Sequence, residues 1–101
     1  MQSICQRVFQ NAFAQAFDSF LIVAYITIKV KDFPFDINEF REMFRSFVRN
    51  TPLSNVDLEI IETDEVVEGV LVLDTLETFS DDDNPPQIVP FHDVLRIVQL
   101  S

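Results

Sequence analysis

Two side chains have the chemistry of a soft or imidazole metal ligand, or of a nucleophile with its base: Cys5 and His92, the single cysteine and single histidine of the chain. A transition-metal centre or a Cys-His pair requires them to meet. Cys5 lies in an apolar row of helix-spaced residues and reads as a buried structural thiol. His92, in Pro90-Phe91-His92-Asp93, reads as a local hydrogen-bonding group in a turn before the closing strand. One Cys and one His exclude an intramolecular disulfide and a four-ligand zinc site built from these residue types in one chain. The run Asp81-Asp82-Asp83-Asn84 offers carboxylates to a hard cation, but it lacks the Gly and the distal Glu of an EF-hand loop and reads as solvated. With one Gly, no glycine-rich phosphate cradle exists. The expectation is a protein that is not an enzyme and carries no cofactor and no metal.

Charge is the stronger signal. The chain of 101 residues has a net charge of −10. Residues 1–51 carry six basic against five acidic side chains, whereas residues 52–101 carry twelve acidic side chains against Arg96 alone. Such a field repels nucleic-acid phosphates and anionic lipid and favours encounter with a basic protein surface. The carboxylates expected to meet that partner are Asp57, Glu59, Glu62, Asp64, Glu65, Asp81, Asp82 and Asp83. The longest apolar stretch, from Phe20 to Ile28, is about half of the roughly 20 residues that cross a bilayer. Gln2, Gln6, Gln10 and Gln15 interrupt any signal-peptide pattern, and a reduced lone Cys fits a cytoplasmic setting.

The elements that must position these groups follow from periodicity. At 48% apolar with eleven Phe, the chain can build one core, so residues 1–101 are read as a single domain. Cys5, Phe9, Phe13 and Phe17 form one helical row, with Val8, Ala12, Ala16 and Phe20 beside it, predicting a helix over 3–20 with a broad apolar stripe. Ile26, Ile28 and Val30 alternate with Thr27, Lys29 and Lys31 in a half-buried strand within 21–31. Asp36 followed by Glu39 has capping-box spacing and opens a second helix, with Ile37, Phe40, Phe44, Phe47 and Val48 inward, that Asn50-Thr51-Pro52 ends. Val56, Leu58 and Ile60 alternate with Asp57, Glu59 and Ile61 in a second strand, and Val66 to Phe79 reads as one long strand or as a bent one with Gly69 as a bulge. An acidic loop covers 80–87, Ile88 to Phe91 is a short extended piece, and Val94 to Leu100 closes the chain as a strand. The order α-β-α-β-β-β predicts an α+β fold, its two helices packed through Phe9, Phe13, Phe17, Phe40, Phe44 and Phe47 on one face of a mixed or antiparallel sheet.

One succession of motifs has a counterpart. Ser3-Ile4-Cys5-Gln6-Arg7 opens a helix, Ile26-Thr27-Ile28-Lys29-Val30 follows, and the aromatic-rich second helix runs into Arg49-Asn50-Thr51-Pro52-Leu53 and Val56-Asp57-Leu58-Glu59-Ile60, with Leu95-Arg96-Ile97 near the end. Over about residues 3–62 and 94–100 this resembles the HypA/HybF family of accessory proteins that insert nickel into hydrogenases. The family's Met-His nickel ligands and its two Cys-x-x-Cys zinc pairs have no counterpart here: position 2 is Gln, and 63–93 contain no Cys. What the resemblance implies is a HypA-like scaffold without either metal site, a non-enzymatic accessory or adaptor protein, chaperone-like, working through protein binding in hydrogenase maturation. The charge asymmetry supports an alternative equally, an acidic inhibitor (an immunity protein or DNA mimic) that covers a basic nucleic-acid-binding surface with residues 57–83.

Overall fold

A computed structural model describes residues 2–19, 23–51, 53–79, 83 and 85–97. The first helical pattern folds as α1 (Gln2–Ser19). Its inward face consists of Ile4, Cys5, Val8, Ala12 and Ala16, all buried. Phe9 and Phe13 flank this face and pack against the core from its side, and Phe17 stands 69% exposed. The expected packing through Phe17 is therefore corrected. The row of small side chains lets the helix axis approach the sheet, and the larger rings are displaced to the flank, where Phe13 and Phe17 stack on each other at 6.3 Å.

A strand β1 (Val23–Val30) follows, with Ile26, Ile28 and Val30 fully buried. The second helix, α2 (Ile37–Val48), starts where its cap is encoded: Glu39 N–H donates to Asp36 Oδ1 at 3.0 Å. Phe40, Phe44 and Val48 form its buried stripe. Full burial of a Phe contributes about 1.5–3 kcal/mol relative to exposure, so the pair Phe40 and Phe44 anchors α2. At the other end Asn50 takes φ +63°, and Thr51 donates from both N and Oγ1 to Val48 O, at 3.0 and 2.6 Å, closing the helix with groups that would otherwise be orphaned.

The remaining strands are β2 (Asp57–Glu62), β3 (Val70–Thr78) and β4 (Ile88–Arg96). They form one sheet in the order β2-β1-β3-β4. β1 runs parallel to β2, with α2 as the crossover, and antiparallel to β3, which is antiparallel to β4. The molecule is a single α+β domain with a mixed sheet, and both helices bury their apolar faces in the core that Ile26, Ile28, Leu58, Leu71, Leu73, Leu76 and Leu95 supply from one side of it. Arg7 Nη1 donates to Arg96 O at 2.8 Å and ties α1 to β4. Among the described residues no helix is long and apolar enough to cross a membrane.

Three strand expectations are corrected. Gly69, at φ +88°, lies in the turn before β3 and is not a bulge within it. The bulge falls at Asp74, which has no register partner on either side: Thr27 pairs with Thr75 and Ile28 with Leu73, while Leu73 pairs with Asp93 and Thr75 with Pro90. The two extended pieces expected around His92 are one strand, β4; His92 sits inside it at φ +53°, where Phe91 and His92 stand opposite the single Asp74. A bulge, and not a turn, absorbs the unusual backbone of His92. Of the acidic loop, positions 80–82 and 84 lie outside the described residues, as do Phe20 and 98–101.

Candidate functional site

With both helices on one side, the described residues leave the other face of the sheet bare except where the β2–β3 connection lies beside Lys29, and the strand registers dictate what it presents. Side chains alternate across a strand, so the neighbours of the buried Ile26, Ile28, Leu58 and Leu76 point away from the helices. Three cross-strand rows result: Asp57–Tyr25–Glu77–Ile88, Glu59–Thr27–Thr75–Pro90, and Ile61–Lys29–Val72–Val94. Tyr25, Ile61, Ile88 and Val94 are 45%, 37%, 65% and 62% exposed, so half of the first and third rows is apolar surface in water. Carboxylates are interleaved with it.

The cation at the centre of this face is held in place. Lys29 Nζ lies 3.4 Å from Glu65 Oε2 and 3.7 Å from Asp74 Oδ2, and Asp74 Oδ1 lies 3.7 Å from His92 Nδ1. Asp74 follows the buried Leu73 and so lies in the outward phase of β3, its carboxylate between Lys29 and His92, and the bulge resets the phase after it so that Thr75 also faces outward before Leu76 returns to the core. Beside Lys29 the β2–β3 connection folds over the sheet, and Val66, Val67, Val70, Val72 and Val94 line an apolar groove that Glu65 and Lys29 rim. Val66 is buried beneath it and Val67 is 74% exposed at its lip.

Of the acidic residues expected to meet a partner, Asp57 and Glu59 lie on this face, Glu62 ends β2, and Asp64 and Glu65 lie in the connection at its margin. Asp83 is exposed in the 80–87 loop, and Asp81 and Asp82 lie outside the described residues. The sequence reading missed Glu77, Asp74 and the exposed apolar set. Ile61 was the available signal, because it stands in the polar phase of an alternating strand.

The two soft ligands do not meet. Cys5 is fully buried, its Sγ 4.0 Å from Phe40 O, and burial pushes its pKa up to about 12, so the thiol is protonated and inert at neutral pH. The His92 side chain is 71% exposed and turned to Asp74. Among the described residues no three His, Cys, Asp or Glu side chains gather as a metal centre would require. The arrangement is a bare sheet face on which exposed apolar side chains alternate with carboxylates around a fixed cluster of Lys29, Glu65, Asp74 and His92.

No family model, curated protein or solved structure matches the chain.

Proposed function

We propose that this protein is a non-enzymatic adaptor that docks another protein on the uncovered face of its sheet. The single observation that carries the reading is the exposure of Tyr25, Ile61, Ile88 and Val94 together on a face from which both helices are absent. Exposed apolar side chains gathered on one bare face, even interleaved with polar groups, mark an interaction surface. Asp57, Glu59, Glu65 and Glu77 set the partner's chemistry as a basic surface with apolar side chains among its cations. A second copy of the chain would bring like charges together and is disfavoured.

The succession of α1, β1, α2 and β2 is the one that the resemblance to the HypA/HybF family implies, and it supports an accessory role on a HypA-like scaffold, with hydrogenase maturation as its setting. The charge asymmetry supports the second reading, an acidic inhibitor of a nucleic-acid-binding protein: Asp57 and Glu59 project from one side of an edge strand, with Glu77 across β1 from Asp57. The two readings part on what drives binding, apolar contact for the adaptor and charge for the inhibitor.

The experiment is affinity capture by the wild type and by an Ile61→Lys/Val94→Lys variant at low and high salt, with identification of the captured protein and sedimentation of the bait alone. The adaptor reading expects a basic partner that the variant loses at both salt concentrations. A partner lost from the wild type by salt alone supports the inhibitor. A partner retained by the folded variant at both salts removes the open face from the interface, and a dimer of the bait abolished by the variant hands the face to a second copy.

A further inference from the structure

The two edges of the sheet are not alike. β4, at one edge, carries Pro90, which has no N–H to offer, and the bulge at His92, and both spoil pairing with a further strand. β2, at the other edge, has neither proline nor bulge and keeps an unbroken register with β1 from Asp57 to Glu62. One hydrogen bond fixes which of its backbone groups are open. Thr63 N–H donates to Val30 O at 2.8 Å, and in a parallel ladder alternate residues point their groups at the neighbouring strand. Asp57, Glu59 and Ile61 therefore bond to β1, and the N–H and C=O groups of Leu58, Ile60 and Glu62 point outward. Among the described residues nothing hydrogen-bonds to those outward groups. A cavity of about 270 Å³ between α2 and the start of β2 keeps the helix from sealing the edge.

The side chains along that edge select what can pair with it. Asp57, Glu59 and Ile61 stand exposed in a row on the open side, and Arg41 and Arg45 line the cavity on the helix side. A strand added antiparallel, the slightly stronger arrangement, makes its non-hydrogen-bonded pairs with Asp57, Glu59 and Ile61, and in such pairs the facing side chains come closest. It gains from cations opposite Asp57 and Glu59 and from an apolar side chain opposite Ile61, and it loses from a cation turned toward Arg41 and Arg45. A second copy of β2 meets the reverse, because three carboxylates in a strand of six residues, on a chain of net charge −10, repel their own kind. We propose that β2 is a strand-addition site for an extended basic segment of another protein, entering antiparallel in the order apolar-x-basic-x-basic with its cations on the open side. Main-chain pairing supplies the attachment, and the alternation supplies the choice. The site is the edge of the sheet and stands or falls separately from docking on its face.

The probe is a capped peptide, Thr-Val-Thr-Lys-Thr-Lys, whose threonines fall opposite Glu62, Ile60 and Leu58, titrated into the protein with amide exchange followed by NMR. Saturable binding with Kd on the order of 0.1 mM at low salt is expected. Near saturation it should slow exchange at Ile60 and Glu62 about tenfold, while Glu59 and Ile61, already bonded to β1, change little. N-methylation of the last two threonines, whose N–H groups point at β2, should weaken binding about tenfold, and N-methylation of the two lysines, whose N–H groups point away, should leave it unchanged. In the isomer Thr-Val-Thr-Lys-Lys-Thr one cation must face α2, and binding should be severalfold weaker. Glu62→Pro removes an outward N–H and no bond to β1, so it should weaken the parent peptide more than Glu62→Gln does. Val94→Gln, which alters the open face at β4, should leave the affinity unchanged, so failure here and failure of the face are told apart. Equal binding by the threonine-methylated peptide or by the isomer, or no protection of Ile60 and Glu62, overturns the proposal. Protection of both that grows with protein concentration alone also overturns it and gives the edge to a second copy. Where Glu62→Pro fails to fold, the methylated peptides decide, since they leave the protein unchanged.

Discussion

The ring of Phe9 stacks on that of Phe47 at a centroid distance of 6.5 Å with planes 21° apart, and through this pair α1 leans on α2. Both rings are only partly buried, whereas Phe40 and Phe44 beneath them are 0% and 2% exposed. The aromatic residues thus divide into a core pair and a surface seam. Phe44→Ala should cost about 3–5 kcal/mol through lost burial and a residual cavity, while Phe17→Ala should stay within about 0.5 kcal/mol. Denaturant midpoints of the two variants check the division, and similar shifts would put the core on the wrong side of α1.

The thiol of Cys5 should make stability fall in alkali. Its folded pKa, about 12, lies above the ordinary value of 9.0, so the folded state holds the proton more tightly. The contribution is complete below pH 9 and is lost as pH rises through 12, by up to about 4 kcal/mol for this group. Unfolding free energies measured from pH 8 to 11 should decline less steeply in Cys5→Ala than in the wild type. At pH 8 a thiol reagent should label the native protein only as fast as it opens.

Gly69 occupies φ +88° with nothing within 4 Å of where a Cβ would stand. The space is free and the backbone conformation is not, so Gly69→Ala should cost about 1 kcal/mol from conformation alone. Gly69 O accepts from Ile97 N–H at 2.8 Å, so thermal melting combined with the amide exchange rate of Ile97 reads the strain at its source. An unchanged melting temperature would mean that the turn relaxes.

For the docking face, Glu59→Gln with Glu77→Gln removes two carboxylates that sit on either side of β1 without touching the core. The association rate with the captured basic partner should fall severalfold at low salt and hardly at all at high salt, with the dissociation rate little changed. Surface plasmon resonance at two ionic strengths separates the rates. A salt-independent loss would point to distortion of the sheet.

The asymmetry in what could be read from the sequence has a physical origin. α2 was legible to the residue, because its start is a local hydrogen bond from Glu39 to Asp36 and its stop is the Asn50-Thr51 turn. β1 and β2 were legible from alternation, and with them the outward carboxylates Asp57 and Glu59. Asp74 and His92 were not, because a bulge exists only relative to the partner strand and leaves no periodic mark on its own. The α1 rows were both found, yet which of them faces the sheet depends on how closely the helix can approach, and that favoured Ala12 and Ala16 over Phe13 and Phe17. The open face followed from the expected packing of both helices on one side of the sheet, but its apolar content did not, because Ile88 and Val94 are ordinary core residues by type.

The central place of β1 also has a bearing on how the molecule comes into being on the ribosome. Both strands that border β1 follow it in the chain, and the hydrogen bond from Arg7 to Arg96 spans 89 positions. As the polypeptide emerges, β1 therefore waits with two bare edges, first for β2 and then for β3, while α1 has no β4 to settle on. Vectorial synthesis therefore leaves the edges of β1 open to mispairing until β2 and then β3 have emerged.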